Sequence, residues 1–162
     1  MSAADAEATA GAKAGTVVSV NTSRKKGQVK TPVAAAELVT GQGLAGDAHR
    51  GFAHRQVSLL ALEDIEAQKA RLGDKATAVA LGPGAFAENL TTRGLDLGAL
   101  AVGDELAVGG AARLRVTQIG KECHTKCAVY RLTGECIMPV RGIFCEVLAG
   151  GPVRPGDAVE KR

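Results

Sequence analysis

Residues 103–119 read GDELAVGGAARLRVTQI, and this stretch carries the clearest fold signal of the chain. Two short runs with Leu, Val and Ile, Glu105–Val108 and Arg113–Ile119, stand on either side of the pair Gly109-Gly110. Short apolar runs that are separated by glycine turns are typical of β-strands. We therefore predict two strands here, and similar spacing elsewhere in the chain extends the prediction to a mainly β protein.

Comparable runs lie on both sides of this stretch. The other predicted strands cover residues 16–20, 31–39, 56–60, 142–148 and 158–161. Between them, large side chains recur at helical spacing from Leu62 to Leu72, and Gly73 is a suitable helix end. Many short strands that are separated by turns predict a barrel or a sandwich, here with one or two short helices.

The composition of the chain is that of one domain with a core of small side chains. The 162 residues are 46% hydrophobic, yet they include no Trp, one Tyr and three Phe. Val, Leu, Ala and Ile must therefore supply most of the buried area. Residues 1–14 are rich in alanine and are expected to form a disordered tail, which leaves residues 15–162 as a single domain.

Charge and hydropathy exclude several classes of protein. A net charge of +3 with few aromatic side chains disfavours nucleic-acid binding. No apolar run approaches the roughly 20 residues of a membrane helix, and the N-terminus does not resemble a signal peptide, so we expect a cytoplasmic protein without a membrane partner. Basic residues cluster at Arg24-Lys25-Lys26, and such clusters would suit a small anion if they converge in the fold.

Two thiols lie in a basic segment directly after the strand that is predicted to end at Ile119. Cys123 and Cys127 are accompanied by Lys121, His124 and Lys126. Neighbouring cations favour the thiolate, which is the form that attacks electrophiles and binds soft metals. Four cysteines in a reducing compartment are more often free, catalytic or metal-bound than paired. This segment is the first candidate for chemistry.

A second candidate is the glycine-rich stretch GQGLAGD at residues 41–47. Glycine permits close approach of the backbone to a ligand. Asp47 and His49 alternate along the chain, so both side chains can face one ligand if the backbone is extended. The alternative is an aspartate that caps turn amides beside a surface histidine.

Several motifs together resemble the MOSC domain, which is the C-terminal domain of molybdenum cofactor sulfurases and also occurs alone. The matching segments are GLAGDAH at 43–49, HRQVSLL at 54–60, AFAENL at 85–90, VGD at 102–104, VTQ at 116–118 and the segment around Cys123. This resemblance implies a bent β-barrel with few helices. It also implies a connection to the molybdenum cofactor, a phosphorylated pterin dithiolene, and to sulfur carried as a cysteine persulfide.

The resemblance also implies roles for particular residues. The family's cysteine corresponds to Cys123, which would carry a persulfide or face the metal as a thiolate, and Cys127 is a possible second ligand or resolving thiol. The cofactor-binding residues that the resemblance implies are Asp47, His49, Arg55, Glu88 and Asn89. Lys121 and His124 are added to them because they lie close to Cys123 in the sequence. Glu88 and Asn89 have an alternative, in which one of them is buried and fixes the loops. The chain departs from the family in lacking an Arg-Pro-Cys type segment before Cys123.

The sequence leaves open whether the protein is an enzyme with a sulfurtransferase-type activity or a carrier of the cofactor. The chain lacks the pyridoxal-phosphate desulfurase domain of long cofactor sulfurases, so a sulfur donor such as a cysteine desulfurase, or a molybdoenzyme acceptor, would be a separate partner. One alternative is a zinc or iron–sulfur module that uses His124, Cys136 and Cys145 together with the first two thiols, although Cys136 and Cys145 also suit a packing role. A third possibility is a scaffold with inert thiols.

Overall fold

The computed structural model describes residues 11–25, 29–48, 51, 55–73, 82–120 and 141–162. The strands are β1 (Ala14–Thr22), β2 (Thr31–Val33), β3 (Ala36–Val39), β4 (Gly43–Leu44), β5 (Val57–Ala61), β6 (Leu90–Arg93), β7 (Glu105–Val108), β8 (Ala112–Ile119), β9 (Ile143–Ala149), β10 (Gly151–Val153) and β11 (Ala158–Lys161). Helix α1 covers Leu62–Leu72, and a single 3-10 turn covers Leu97–Ala99.

Seven of the described strands close into a barrel. Their order is β11-β7-β8-β9-β5-β6-β1, and β1 pairs again with β11 through Ala14 and Glu160. All of these pairs are antiparallel except β5 with β6. Strand β2 extends the sheet beside β1, and β10, β3 and β4 form a second, smaller sheet. The predictions of a mainly β protein and a barrel are confirmed.

Strand β8 illustrates how the sequence builds the barrel core. Ala112, Leu114 and Val116 are buried, whereas Arg113 and Arg115 between them are exposed. This alternation follows from the two-residue period of a strand, which directs successive side chains to opposite faces. The core cluster contains only aliphatic side chains and Cys145 among the described residues, as the composition predicts.

Helix α1 connects the two parallel strands β5 and β6 and packs against both. Glu63 and Asp64 lie in its first turn, where negative charge is favourable beside the helix dipole. The helix ends at Gly73, whose φ of 55° suits glycine and whose N–H donates to the Lys69 carbonyl oxygen at 3.1 Å. The predicted helix is confirmed, together with its end.

The structure differs from the sequence predictions at several places. Strands β4, β6 and β10 were not predicted. The extended segment predicted at residues 31–39 is two strands, β2 and β3, which belong to different sheets. Both halves have the local pattern of a strand, and only their pairing partners, β1 and β10, separate them. Regular structure also begins before residue 15, because Gly11 donates to Asp96 and Ala14 pairs with Glu160.

Candidate functional site

Three separate segments meet at the C-terminal end of β1. The Ala48 N–H donates to the Ser23 carbonyl oxygen at 2.9 Å, and the Lys30 N–H donates to the Gly84 carbonyl oxygen at 2.9 Å. The Asn21 N–H donates to the Asn89 carbonyl oxygen at 2.7 Å. The β1–β2 connection, the turn before Ala48 and the turn before β6 are thereby held together. Three predicted cofactor-binding residues, Asp47, Glu88 and Asn89, belong to these segments.

Asp47 forms an ion pair with Lys30 that has no exposed side-chain surface. The Lys30 Nζ lies 2.7 Å from Asp47 Oδ1, and both side chains are 0% exposed. The same oxygen accepts a hydrogen bond from the Ser23 N–H at 3.1 Å, while Lys30 Nζ donates to Ser23 Oγ at 3.1 Å. Asp47 therefore caps a backbone amide, which was the alternative to ligand contact, and its contact with a cofactor stays a prediction.

Sequence reasoning did not identify Lys30. A lysine between Val29 and Thr31 has no local feature that distinguishes it from a solvated surface residue. Charged side chains are almost never fully buried unless they are paired, so burial becomes visible only when the partner is known. The partner, Asp47, is 17 residues away in the sequence.

Glu88 is 0% exposed and accepts hydrogen bonds with both carboxylate oxygens. The Gly84 N–H and the Thr91 hydroxyl donate to Oε2 at 2.9 and 2.6 Å, and the Phe86 N–H donates to Oε1 at 3.3 Å. Burial raises the pKa of Glu88, because desolvation outweighs the opposing effect of these donors. Gly84 has a φ of 88°, and a Cβ there would overlap the Lys30 carbonyl oxygen, so the turn requires glycine.

Asn89 directly precedes β6, and its side chain forms hydrogen bonds to β5 and β1. Its Oδ1 accepts from the Ser58 N–H at 3.0 Å and from the Ser58 hydroxyl at 3.3 Å, and its Nδ2 donates to the Asn21 carbonyl oxygen at 3.2 Å. We call Asn21, Ser58, Glu88, Asn89 and Thr91 the buried polar cluster. Both Glu88 and Asn89 are buried and fix the loops, whereas the alternative role was predicted for only one of them. Their cofactor contact stays a prediction.

An open cleft of about 400 Å³ lies beside the Lys30–Asp47 pair. The described residues that line this cleft are Thr22, Ser23, Arg24, Val29, Thr31 and Gly46. None of them is acidic, and Arg24 is exposed and forms no ion pair with any residue that the structure describes. We call this the Ser23 cleft. Its signals in the sequence were the basic turn at Arg24 and the glycine-rich stretch, which the fold brings together.

The remaining predicted site residues divide into two groups. Arg55 is half-buried and directly precedes Gln56 and β5. The other predicted residues lie outside the described ranges; they are His49, Lys121, Cys123, His124, Cys127 and Cys136. Cys145 is buried in the barrel core, as its predicted packing role requires, and burial raises the pKa of its thiol. Within the described ranges, no group of His, Cys, Asp and Glu side chains is arranged to hold a metal ion.

Strand directions locate the described ends that flank the Cys123 segment. The chain leaves β8 at Gly120, whose N–H donates to the Gly142 carbonyl oxygen at 2.7 Å, and returns at Arg141. β1 and β8 run in opposite directions, because an odd number of antiparallel steps separates them through β11 and β7. Strand pairing nevertheless places the end of β8 that leads to Cys123 in one cross-strand row with the last part of β1. The row runs from Ile119 through Ile143, Leu59 and Leu90 to Val20. A common pocket for Cys123 and Asp47 stays a prediction.

Comparison with known sequences identifies the family, because the sequence model of the MOSC domain matches residues 46–160. The chain belongs to the MOSC domain family. No curated protein matches it significantly. Within the part that the structure describes, no helix is long and apolar enough to cross a membrane.

Solved structures similar to this MOSC protein support the fold. The YuaD protein of Bacillus subtilis is 21% identical with a TM-score of 0.74, and the match covers 91% of this chain and 95% of YuaD. YiiM of Geobacillus stearothermophilus is 23% identical with a TM-score of 0.68, covering 91% of this chain and 75% of YiiM. YiiM of Escherichia coli is 22% identical with a TM-score of 0.68, covering 91% and 69%. At these identities the likeness establishes the fold alone.

Proposed function

We propose that this MOSC protein binds the molybdenum cofactor, or a related phosphorylated pterin, and carries sulfur or contacts the metal through Cys123. Membership of the MOSC family supports the connection to the cofactor. The observation that carries the proposal is one open cleft with a basic side chain, which is lined by residues 22–24, by Val29 and Thr31 and, from the glycine-rich stretch, by Gly46. Their convergence makes a ligand surface from residues that are far apart in the sequence.

The chemistry of the Ser23 cleft fits one part of this cofactor. A phosphate monoester needs hydrogen-bond donors and positive charge, and the lining has hydroxyls, a glycine backbone and the Arg24 guanidinium without a carboxylate among its described residues. When bound, the cofactor would supply a metal held by two dithiolene sulfurs. Arg55 and His49 would contact the pterin or its phosphate.

In this proposal Cys123 acts as a thiolate. Lys121 and His124 lie within two residues of it in the sequence, and positive charge at that distance favours the ionised thiol. The thiolate would hold a persulfide sulfur or face the metal, and Cys127 would serve as a second thiol. The partners would be a cysteine desulfurase as sulfur donor or a molybdoenzyme as acceptor.

The test compares Cys123→Ser with Cys145→Ala, which removes a thiol that the structure buries in the core. Gently purified proteins would be assayed for bound pterin, by the fluorescence of its oxidised product, and for persulfide, by labelling and mass spectrometry. We expect Cys123→Ser to lose the persulfide or the cofactor and Cys145→Ala to keep both. Unchanged pterin retention and persulfide labelling in Cys123→Ser would remove Cys123 from the mechanism.

The alternative is a zinc or iron–sulfur module built from the four cysteines and His124. The position of Cys145 weighs against it, because this thiol is 0% exposed and belongs to the aliphatic core. Metal analysis of anaerobically purified protein distinguishes the two functions. Stoichiometric zinc or iron that is lost in Cys145→Ala would favour the metal module.

A further inference from the structure

The polar groups that line the Ser23 cleft are mainly donors that have no acceptor within the described structure. Thr22 and Thr31 are cross-strand partners at the ends of β1 and β2, and neither hydroxyl makes a hydrogen bond to a described residue. The Gly46 N–H, in a backbone with a φ of 81°, likewise has no acceptor in the described part of the chain. Arg24 adds a guanidinium that forms no ion pair with a described residue. Hydroxyls can donate or accept, but a guanidinium and an amide can only donate.

Ser23 differs from the other lining residues because hydrogen bonds to the buried Lys30 and Asp47 side chains fix its position. Its N–H donates to Asp47 Oδ1 at 3.1 Å, and its hydroxyl accepts from Lys30 Nζ at 3.1 Å and donates to the Lys25 carbonyl oxygen at 3.0 Å. Lys30 and Asp47 are themselves closed off from solvent. The ion pair therefore does not present its charge to the cleft directly. It holds the backbone and the hydroxyl of Ser23 at the cleft wall.

We propose that the Ser23 cleft is an oxyanion subsite for a phosphate monoester, and that the buried Lys30–Asp47 ion pair positions Ser23 within it. Arg24 supplies the charge, while Thr22, Thr31 and Gly46 supply further donors. Val29, which is 43% exposed, provides an apolar wall beside them. The inference rests on the proposed function in taking the cofactor's phosphate as the natural occupant. It assigns Lys30 and Asp47 as positioning residues.

The charge of the subsite is tested by titrating the protein with inorganic phosphate and following backbone amide signals by NMR. We expect the amides of Ser23 and Gly46 to shift, and Arg24→Gln to weaken binding about tenfold or more, as for loss of a charge-assisted hydrogen bond. Lys25→Gln is the matched control, since Lys25 is exposed, adjacent and equally charged, and its side chain does not line the cleft. Equal effects of the two substitutions, or no shift at Ser23 and Gly46, would overturn the subsite.

A test of the positioning role of Lys30 and Asp47 requires a variant that stays folded. Removing Lys30 or Asp47 alone takes away the opposite charge that lies 2.7 Å from a buried charge, whereas Lys30→Met with Asp47→Leu removes both charges together. We expect this double variant to unfold cooperatively on heating yet to bind phosphate about tenfold more weakly, because Ser23 is no longer held. Ser23→Ala should show the same loss and Ser23→Thr, which keeps the hydroxyl, should not. A folded double variant with unchanged phosphate affinity contradicts the positioning role, as does normal affinity in Ser23→Ala.

These measurements are independent of Cys123. Phosphate binding that persists in Cys123→Ser, with pterin and persulfide both absent from the wild-type protein, would retain the subsite and reject the proposed function. Conversely, a protein that carries pterin but shows no phosphate response at Ser23 would reject the subsite alone.

Discussion

Opposite charges meet in two regions of this protein with very different surroundings. On the outer face of the barrel, Arg113 and Arg115 of β8 pair with Glu105 of β7 and Glu146 of β9. The two arginine side chains are 47% and 48% exposed. Beside the Ser23 cleft, by contrast, Lys30 and Asp47 are wholly buried.

This difference determines what each pair can do. Exposed pairs are screened by water and salt, so they contribute little and tolerate loss. A buried pair must recover the cost of desolvation from its partner and from hydrogen bonds, and here Ser23 supplies two of them. Such a pair tolerates no single loss, and it fixes geometry more than it adds stability. Four predictions test this contrast.

The largest effect is expected for breaking the buried pair from one side. Asp47→Asn should lower the free energy of unfolding by about 3–5 kcal/mol, because the buried Lys30 ammonium loses the carboxylate charge that lies 2.7 Å away. The combined substitution Lys30→Met with Asp47→Leu should cost much less than Asp47→Asn. Urea unfolding followed by circular dichroism measures both. A single variant as stable as the wild type would mean that Lys30 escapes to solvent.

The next effect concerns the buried polar cluster. Asn89→Ala leaves two donors of Ser58 and the Asn21 carbonyl oxygen without their partner. Each buried group without a hydrogen bond costs about 1–3 kcal/mol, so we expect a loss of about 3 kcal/mol or more. Thr117→Ala on the barrel surface, which removes one half-buried hydroxyl, is a suitable comparison. Similar stabilities for the two variants would show that water replaces the Asn89 side chain.

A smaller, pH-dependent effect is expected from Glu88. Because its pKa in the folded protein is raised above the ordinary 4.5, ionisation is disfavoured by folding. The contribution of Glu88 to stability is therefore complete below about pH 4.5, and it is lost as the pH rises through the pKa that Glu88 has in the folded protein. The free energy of unfolding falls by at most about 1.4 kcal/mol for each pH unit of this rise. The stability difference between the wild type and Glu88→Gln should shrink over that rise. Unfolding curves at several pH values measure this difference. A difference that grows with pH would mean that folding lowers the pKa of Glu88 instead of raising it.

The smallest effect is expected on the exposed face. Arg115→Ala removes the pair with Glu146 and should change the free energy of unfolding by less than about 1 kcal/mol. High salt should reduce even that difference, whereas it should leave the effect of Asp47→Asn nearly unchanged. Loss of several kcal/mol in Arg115→Ala would remove the contrast between the two regions.

Much of the fold could be predicted because its signals are local. The strands Glu105–Val108 and Ala158–Lys161 have the predicted bounds, and α1 ends at the predicted glycine. The division of residues 31–39 into two strands was harder to predict, because a chain that passes from one sheet to another keeps the local pattern of a strand throughout. Pairing partners lie far away in the sequence, and no short window contains them.

The candidate site was less predictable than the fold. Asp47, Glu88 and Asn89 were identified by resemblance, but their contacts were not, since each partner belongs to another segment. Lys30 was not identified from the sequence, because its partner Asp47 also belongs to another segment. The role of Cys123 stays a prediction.

The sequence by itself determined the alternation of short strands with turns, the helix Leu62–Leu72, the aliphatic core and the membership of the MOSC family. These follow from side-chain periodicity, glycine turns and motif order, which are properties of neighbouring residues. Only the tertiary structure decided that Lys30 and Asp47 form a closed pair behind Ser23, that Glu88 and Asn89 hold strands together, and that an open cleft lies beside them. Burial and hydrogen-bond partnership depend on which distant segments meet, and that is decided when the barrel closes.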